Sequence, residues 1–387
     1  MSKPSSSLPS AGALDAARQV AIGRTSLRVV ARFVLALTSC ALVLGLPPAL
    51  ASQQDDDEEA IGATTVFATV PFPGHPFGVA VDRDRVYVST SRGDFFAQQL
   101  NSAGERVFAF DKLGNLDRTI NVPTMPDASM GLWGVALDGN SRPTHKLFVA
   151  DMNGRILTLD IGQSDPTLQV FATPPPPFNT GDWHTTMWND LVFDRAGNLF
   201  MTDDKPRLWR VTPDGKASVW FTDPRIAGLF GFAGGPLGGR IDPSGKFLYF
   251  SITISATFPN EAVIYRLPLV DQPSASDLQL VHRFPAVIGQ PPPQATGIAF
   301  AESGNLYVNL IGPNQIAVLD PGGSEMRRFS SPLFDSPWGL AFIGHSLLVT
   351  NADIQVVENP SRWNVLKVFV GERGLALNRP RTSPGGD

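Results

Sequence analysis

One hairpin recurs six times along this chain, and that recurrence leaves it few folds. The clearest copy is Trp188–Asp203, WNDLVFDRAGNLFMTD. Two β-rich runs, Asn189–Phe193 and Leu199–Thr202, flank a turn at Asp194–Asn198 that carries Gly197 and Asn198. Alternating apolar runs around a tight Gly/Asn turn make a β-hairpin. Its first run returns as FGVAVD (Phe77–Asp82), WGVALD (Trp133–Asp138), NDLVFD (Asn189–Asp194), LGGRID (Leu237–Asp242), TGIAFA (Thr296–Ala301) and WGLAFI (Trp338–Ile343). Successive starts lie 56, 56, 48, 59 and 42 residues apart.

Each copy is followed by a second run (RVYVST, KLFVAD, NLFMTD, FLYFSI, NLYVNL, SLLVTN) and mostly by a third, such as RVFAFD or RILTLD. A fourth run ends in an aromatic or apolar cluster in LQVFAT, SVWFTD, LVHRFP and MRRFSS. Four short strands per repeat at this period predict an all-β fold, a six-bladed β-propeller, because no single sheet can bury both of its faces alone. The sixth repeat has a third run, NVLKVFV (Asn364–Val370), but no fourth. A spare strand, TVFATV (Thr65–Val70), stands ahead of the first repeat and shares Val-Phe-Ala-Thr with the outer run QVFATP (Gln169–Pro174). The N-terminal strand is therefore expected to close the last blade, which removes an exposed sheet edge.

Ahead of that strand the composition changes. Residues 1–51 read as a secretory leader: Arg18, Arg24, Arg28 and Arg32, an apolar run Phe33–Leu46, then Ala49 and Ala51 before Ser52. The apolar run is short for a membrane span. Leu37-Thr38-Ser39-Cys40 resembles a lipoprotein box, but apolar residues follow Cys40, so lipid anchoring is the lesser reading. A secreted or periplasmic chain without cysteine is expected, with no disulfides. The leader holds five of the 31 basic and one of the 36 acidic residues, leaving 26 against 35, a net −9. That balance excludes a nucleic-acid partner. Residues 52–63, with Asp55–Glu59 a run of like charge, read as an acidic tether. The propeller is expected over 64–374 and a tail over 375–387.

The runs NDLVFDRAGNLFMTD, DPSGKFLYFS, TGIAFAESGNLYVN and WGLAF…LLVTN, in this order, resemble the senescence marker protein/gluconolactonase (regucalcin-like) family from about Val66 to Gly374. The resemblance implies a propeller that holds one divalent cation, usually calcium, in its central tunnel and hydrolyses lactones or related esters. It also implies that the cation's ligands are Glu, Asn, Asn and Asp at the first inner-strand position of four blades. Here those first positions are Phe77, Trp133, Asn189, Leu237, Thr296 and Trp338. Asn189 is the one matching metal ligand; Phe77, Leu237 and Thr296 replace the family's Glu, Asn and Asp. A hard cation needs about six oxygens, so the site reads as lost or rebuilt.

Phe77, Trp133, Thr296 and Trp338 would instead line the tunnel mouth, as a small-molecule site or as a packed plug. His184, Asp190 and Asp203 cluster near it in the sequence of the third blade. They are the candidate base and carboxylates for hydrolysis or for a rebuilt cation site. His75 is a second histidine candidate; His145, His282 and His345 receive no role. Two functions stay open: a lactonase-type hydrolase with an altered site, or a non-catalytic binding propeller for a small molecule or a protein. Gly231–Gly239 is glycine-rich but opens no helix that could present amides to phosphate.

Overall fold

The computed structural model describes residues 59–380 except 73, 92, 95–98, 101–104, 123–130, 140–144, 153, 164–165, 167, 181–183, 230–233 and 355–358. The leader, Cys40 and most of the acidic tether lie outside these residues. Six four-stranded antiparallel sheets form the body. Their inner strands are His75–Val81, Leu132–Leu137, Trp188–Phe193, Pro236–Ile241, Gln294–Phe300 and Pro337–Ile343. Each inner strand packs against the next, and the sixth against the first, so the ring is closed. The protein is a six-bladed β-propeller. Among the described residues no helix is long and apolar enough to cross a membrane.

The closing strand is where the repeat count requires it. Thr64–Thr69 pairs antiparallel with Asn364–Phe369 as the outer strand of blade six. Residues expected to be tether already touch that blade: the Gly62 amide donates to Phe369 O, and Glu59 faces Lys367 at 3.5 Å. Blade one has an outer strand that the repeat alignment lacks, Leu116–Asn121, whose polar sequence LDRTIN hides its period.

All six inner strands slip register at one place: between residues 76 and 79, 132 and 135, 188 and 191, 236 and 239, 295 and 298, and 337 and 340. This bulge places Leu237 in blade four where Phe77 stands in blade one. The second bulge residue is glycine in five blades because the next blade's backbone lies against it. A Cβ on Gly78 would collide with Trp133 O, and one on Gly339 with Phe77 O. The second strand fastens the same spot. The Ser251 hydroxyl accepts from the Gly238 amide at 2.8 Å and donates to Thr296 O at 2.8 Å. Ser89, Thr202 and Thr350 repeat this relay. The recurrent hydroxyl in the second run is thus an inter-blade fastener, since a buried amide and carbonyl both need a partner.

At the far end of the tunnel, on the side of the first-to-second-strand turns, residues 373–380 cross the mouth as a strap. Gly374 bridges Ala301, Leu375 N donates to Phe300 O, and Asn378 Nδ2 donates to Phe193 O at 3.0 Å. Arg379 reaches Asp82 at 2.9 Å and Val81 O, and Gly139 N donates to Pro380 O. The first part of the expected tail therefore touches four blades. His145, given no role above, is part of this rim: its Nε2 lies 2.7 Å from Asp82. Burial pushes Asp82 up, but the Arg83 amide, His145 and Arg379 hold it below the usual carboxylate range.

Candidate functional site

The six bulges bring the six first positions together at the near mouth of the tunnel. Three of them stack. Phe77 lies parallel to Trp133 at 5.3 Å, and Trp338 meets Phe77 and Trp133 edge-on at 4.8 and 5.1 Å. Leu237, Met152, Met187 and Ile311 complete one apolar cluster with them, all buried. The space left where the three rings face Asn189, Asp190, Leu237 and Arg240 is about 20 Å³, little more than one water. Phe77, Trp133 and Trp338, expected as mouth-lining residues, are thus packed mainly against each other.

The two polar first positions spend their donors on the next blade. Thr296 Oγ1 donates to Pro337 O at 2.8 Å, and Asn189 Nδ2 donates to Pro236 O at 2.8 Å. Asn189 Oδ1 is buried with no hydrogen-bond partner among the described residues. It is the one first-position oxygen aimed at nothing, at the position the resemblance assigns to a cation ligand.

The carboxylates of blade three do not converge beside it. Asp203 is fully buried and anchors its own blade: it accepts from Met187 N, Lys205 N and Trp209 Nε1 and pairs with Arg207 at 2.7 Å. Burial still pushes it up, against Arg207 and these donors. Asp190 occupies the second bulge position, the only residue other than glycine there. It accepts from Leu191 N and Gly239 N and pairs with Arg240 at 2.6 Å. His184 is exposed on the loop leading into the blade. Among the described residues no three His, Cys, Asp or Glu side chains stand close enough to share a metal ion. Asp182 and Trp183, which precede His184 on the loop entering blade three and belong to the same polar cluster of the sequence, lie outside the described residues.

Asp204 follows Asp203 in the same polar cluster of the sequence and is held differently. Two amides of the glycine-rich turn, Gly234 N and Gly235 N, each donate to its Oδ1 at 3.0 Å. The turn that opens no helix thus binds the chain's own carboxylate. Burial pushes Asp204 up to about 7, against Lys205 and the two amides. Between the unfolded value of 3.8 and this one, the folded protein keeps a proton that the unfolded chain has lost. Stability therefore falls as pH rises from about 4 to about 7, with a slope of up to ~1.4 kcal/mol per pH unit from this group. Asp204→Asn should flatten that part of the curve relative to wild type in urea unfolding series; parallel curves would refute the assignment.

On the same rim His75, the second candidate, is buried. Its Nδ1 lies 2.6 Å from Ala352 O, and its ring rests on Trp363 at 4.7 Å. Burial raises the neighbouring Asp335 and Asp353.

A sequence profile of the SMP-30/gluconolactonase/LRE-like region matches residues 131–353, more than half of the chain. No match was found among curated proteins. Among solved structures, a luciferin-regenerating enzyme is similar at a TM-score of 0.56 and 16% identity, over 82% of this chain and 99% of its own. A calcium-binding protein, regucalcin, from Agrobacterium tumefaciens gives 0.57 and 16%, over 81% and 99%. A putative gluconolactonase gives 0.54 and 19%, over 81% and 93%. At these identities the structures speak for the fold, and the profile match speaks for descent: the chain belongs to the SMP-30/gluconolactonase/LRE-like family.

Proposed function

We propose that this protein is an exported small-molecule-binding propeller that does not carry out the cation-dependent lactone hydrolysis of its family. The observation that carries this reading is the stack of Phe77, Trp133 and Trp338 across the near mouth, with about 20 Å³ left around it. A calcium ion needs several oxygens and negative charge. The residues present do not fit one: the first positions offer Asn189 Oδ1 and a Thr296 hydroxyl already committed to Pro337 O. Asp190 and Asp203 are paired with Arg240 and Arg207. The leader-like residues 1–51 support export.

The buried, unpartnered Asn189 Oδ1 favours a second reading, in which a weak rebuilt cation site persists with hydrolysis attached to it. A calcium titration of the melting temperature, run beside a gluconolactone hydrolysis assay, separates the two. The expected result is no saturable calcium shift and no hydrolysis above buffer. A saturable shift together with hydrolysis, both lost in Asn189→Ala, would establish the second reading and overturn the first.

A further inference from the structure

The near half of the tunnel is full, but the far half is not. Behind the aromatic stack opens a cavity of about 510 Å³, roofed by the 373–380 strap. That volume is in the range of small-molecule sites, roughly 300–1,000 Å³. Its wall is made by the fourth inner-strand positions, Ala80, Ala136, Val192, Arg240, Ala299 and Ala341. Small residues at five of the six leave the room; the sixth is an arginine. Leu375 and Leu377 of the strap close the other side, and Asp82, Arg83, Glu302, Arg373 and Arg379 also line the cavity, Arg379 being paired with Asp82.

Arg240 is the one charged side chain among the six fourth positions. Its Nη1 donates to Asp190 Oδ2 at 2.6 Å and to Gly239 O at 2.6 Å, and its Nη2 reaches across the lumen to Leu340 O at 3.4 Å. A guanidinium has five N–H donors, so two remain without an acceptor among the described residues. The charge, by contrast, is already balanced by Asp190. A carboxylate brought here would add a second anion beside Asp190 in a poorly hydrated space, which is unfavourable. A neutral carbonyl would take up the remaining donors at no such cost.

Deepening the ligand-binding reading above, we infer that the strap-covered cavity at the far end of the tunnel binds a neutral, largely apolar small molecule whose carbonyl oxygen accepts from Arg240. The strap forms the roof, so the ligand passes in and out as residues 373–380 lift from blades one, two, three and five.

The probe is 6-propionyl-2-dimethylaminonaphthalene, a neutral aromatic ketone whose emission reports both burial and hydrogen bonding to its carbonyl. Its carboxylate counterpart, 6-dimethylamino-2-naphthoate, is the comparison. The ketone should bind saturably and at one site, and the carboxylate roughly tenfold more weakly or worse, about 1.4 kcal/mol. Ala136→Phe fills the cavity from the wall and Leu377→Trp from the strap; each should weaken ketone binding at least about tenfold. Leu377 is half-exposed, so its substitution leaves the blades intact, and a wild-type melting curve confirms this. A chain ending at Glu372 should bind and release the ketone faster.

Ketone binding unchanged in both filled variants, no ketone binding at all, or tighter carboxylate binding would each overturn the inference. None of these results touches the calcium and gluconolactone measurements, so failure of this site and failure of the non-hydrolytic reading are told apart.

Discussion

A chain that starts at Phe72 should be several kcal/mol less stable than one that starts at Glu59, whereas starting at Glu59 instead of Ser52 should change nothing measurable. The second truncation removes Ser52–Glu58, three uncharged polar residues and four of the acidic run, whose like charges favour a solvated segment. The first removes the outer strand of blade six. With it go the ladder to Asn364–Phe369, the Val70 N to Trp363 O bond and the burial of Ala68 and Val70 beside Val79, Val86 and Trp363. Roughly 25 cal/mol for each Å² of apolar surface puts the loss at several kcal/mol. It also leaves the paired strand, with Val365 and Val368 fully buried until then, as an open edge. Urea unfolding of the two chains measures the difference. Equal stability would mean that the N-terminal strand does not close the ring.

That strand was legible because it carries a shared motif: Val-Phe-Ala-Thr in Thr65–Val70 repeats the outer strand of blade two. The inner strands were legible for the same reason. A repeated apolar run and its turn are local, and six copies correct one another; Leu237 in blade four sits at its bulge as the alignment has it. What was not legible is what depends on contact between distant elements. Residues 373–380, RGLALNRP, have no strand period and belong to no repeat. Their order comes from pairing with turn carbonyls and with Asp82, which nothing in their own sequence announces. The cavity beneath them was equally hidden, because an alanine in an inner strand reads as packing wherever its Cβ points. At the near mouth, the first positions were found correctly. Whether three aromatics line a space or fill it is decided by ring geometry, and Phe77, Trp133 and Trp338 fill it.

The pair Asp190–Arg240 shows how much can rest on two exceptions to a repeat. The second bulge position is glycine in five blades and aspartate in blade three; the fourth position is alanine or valine in five and arginine in blade four. The exceptions fall in adjacent blades and face each other at 2.6 Å, both at least nine-tenths buried. Removing one partner of a buried pair strands the other, and the two losses are unequal. Arginine stays protonated at any accessible pH, so Asp190→Gly leaves an uncompensated buried cation, a cost of about 3–5 kcal/mol. Arg240→Ala leaves a carboxylate that keeps the Leu191 and Gly239 amides as donors. It should cost less, roughly 1–3 kcal/mol. The double change Asp190→Gly with Arg240→Ala restores the pattern of the other blades in both rings. It should therefore lie well above the sum of the two single losses, with a coupling of about 2–3 kcal/mol in a double-mutant cycle from urea unfolding. Full recovery is not expected, because the Leu191 and Gly239 amides lose the carboxylate that now accepts from them. Additive losses would mean that the two residues were placed side by side without depending on each other, and Arg240 would then carry its charge in the tunnel independently of Asp190.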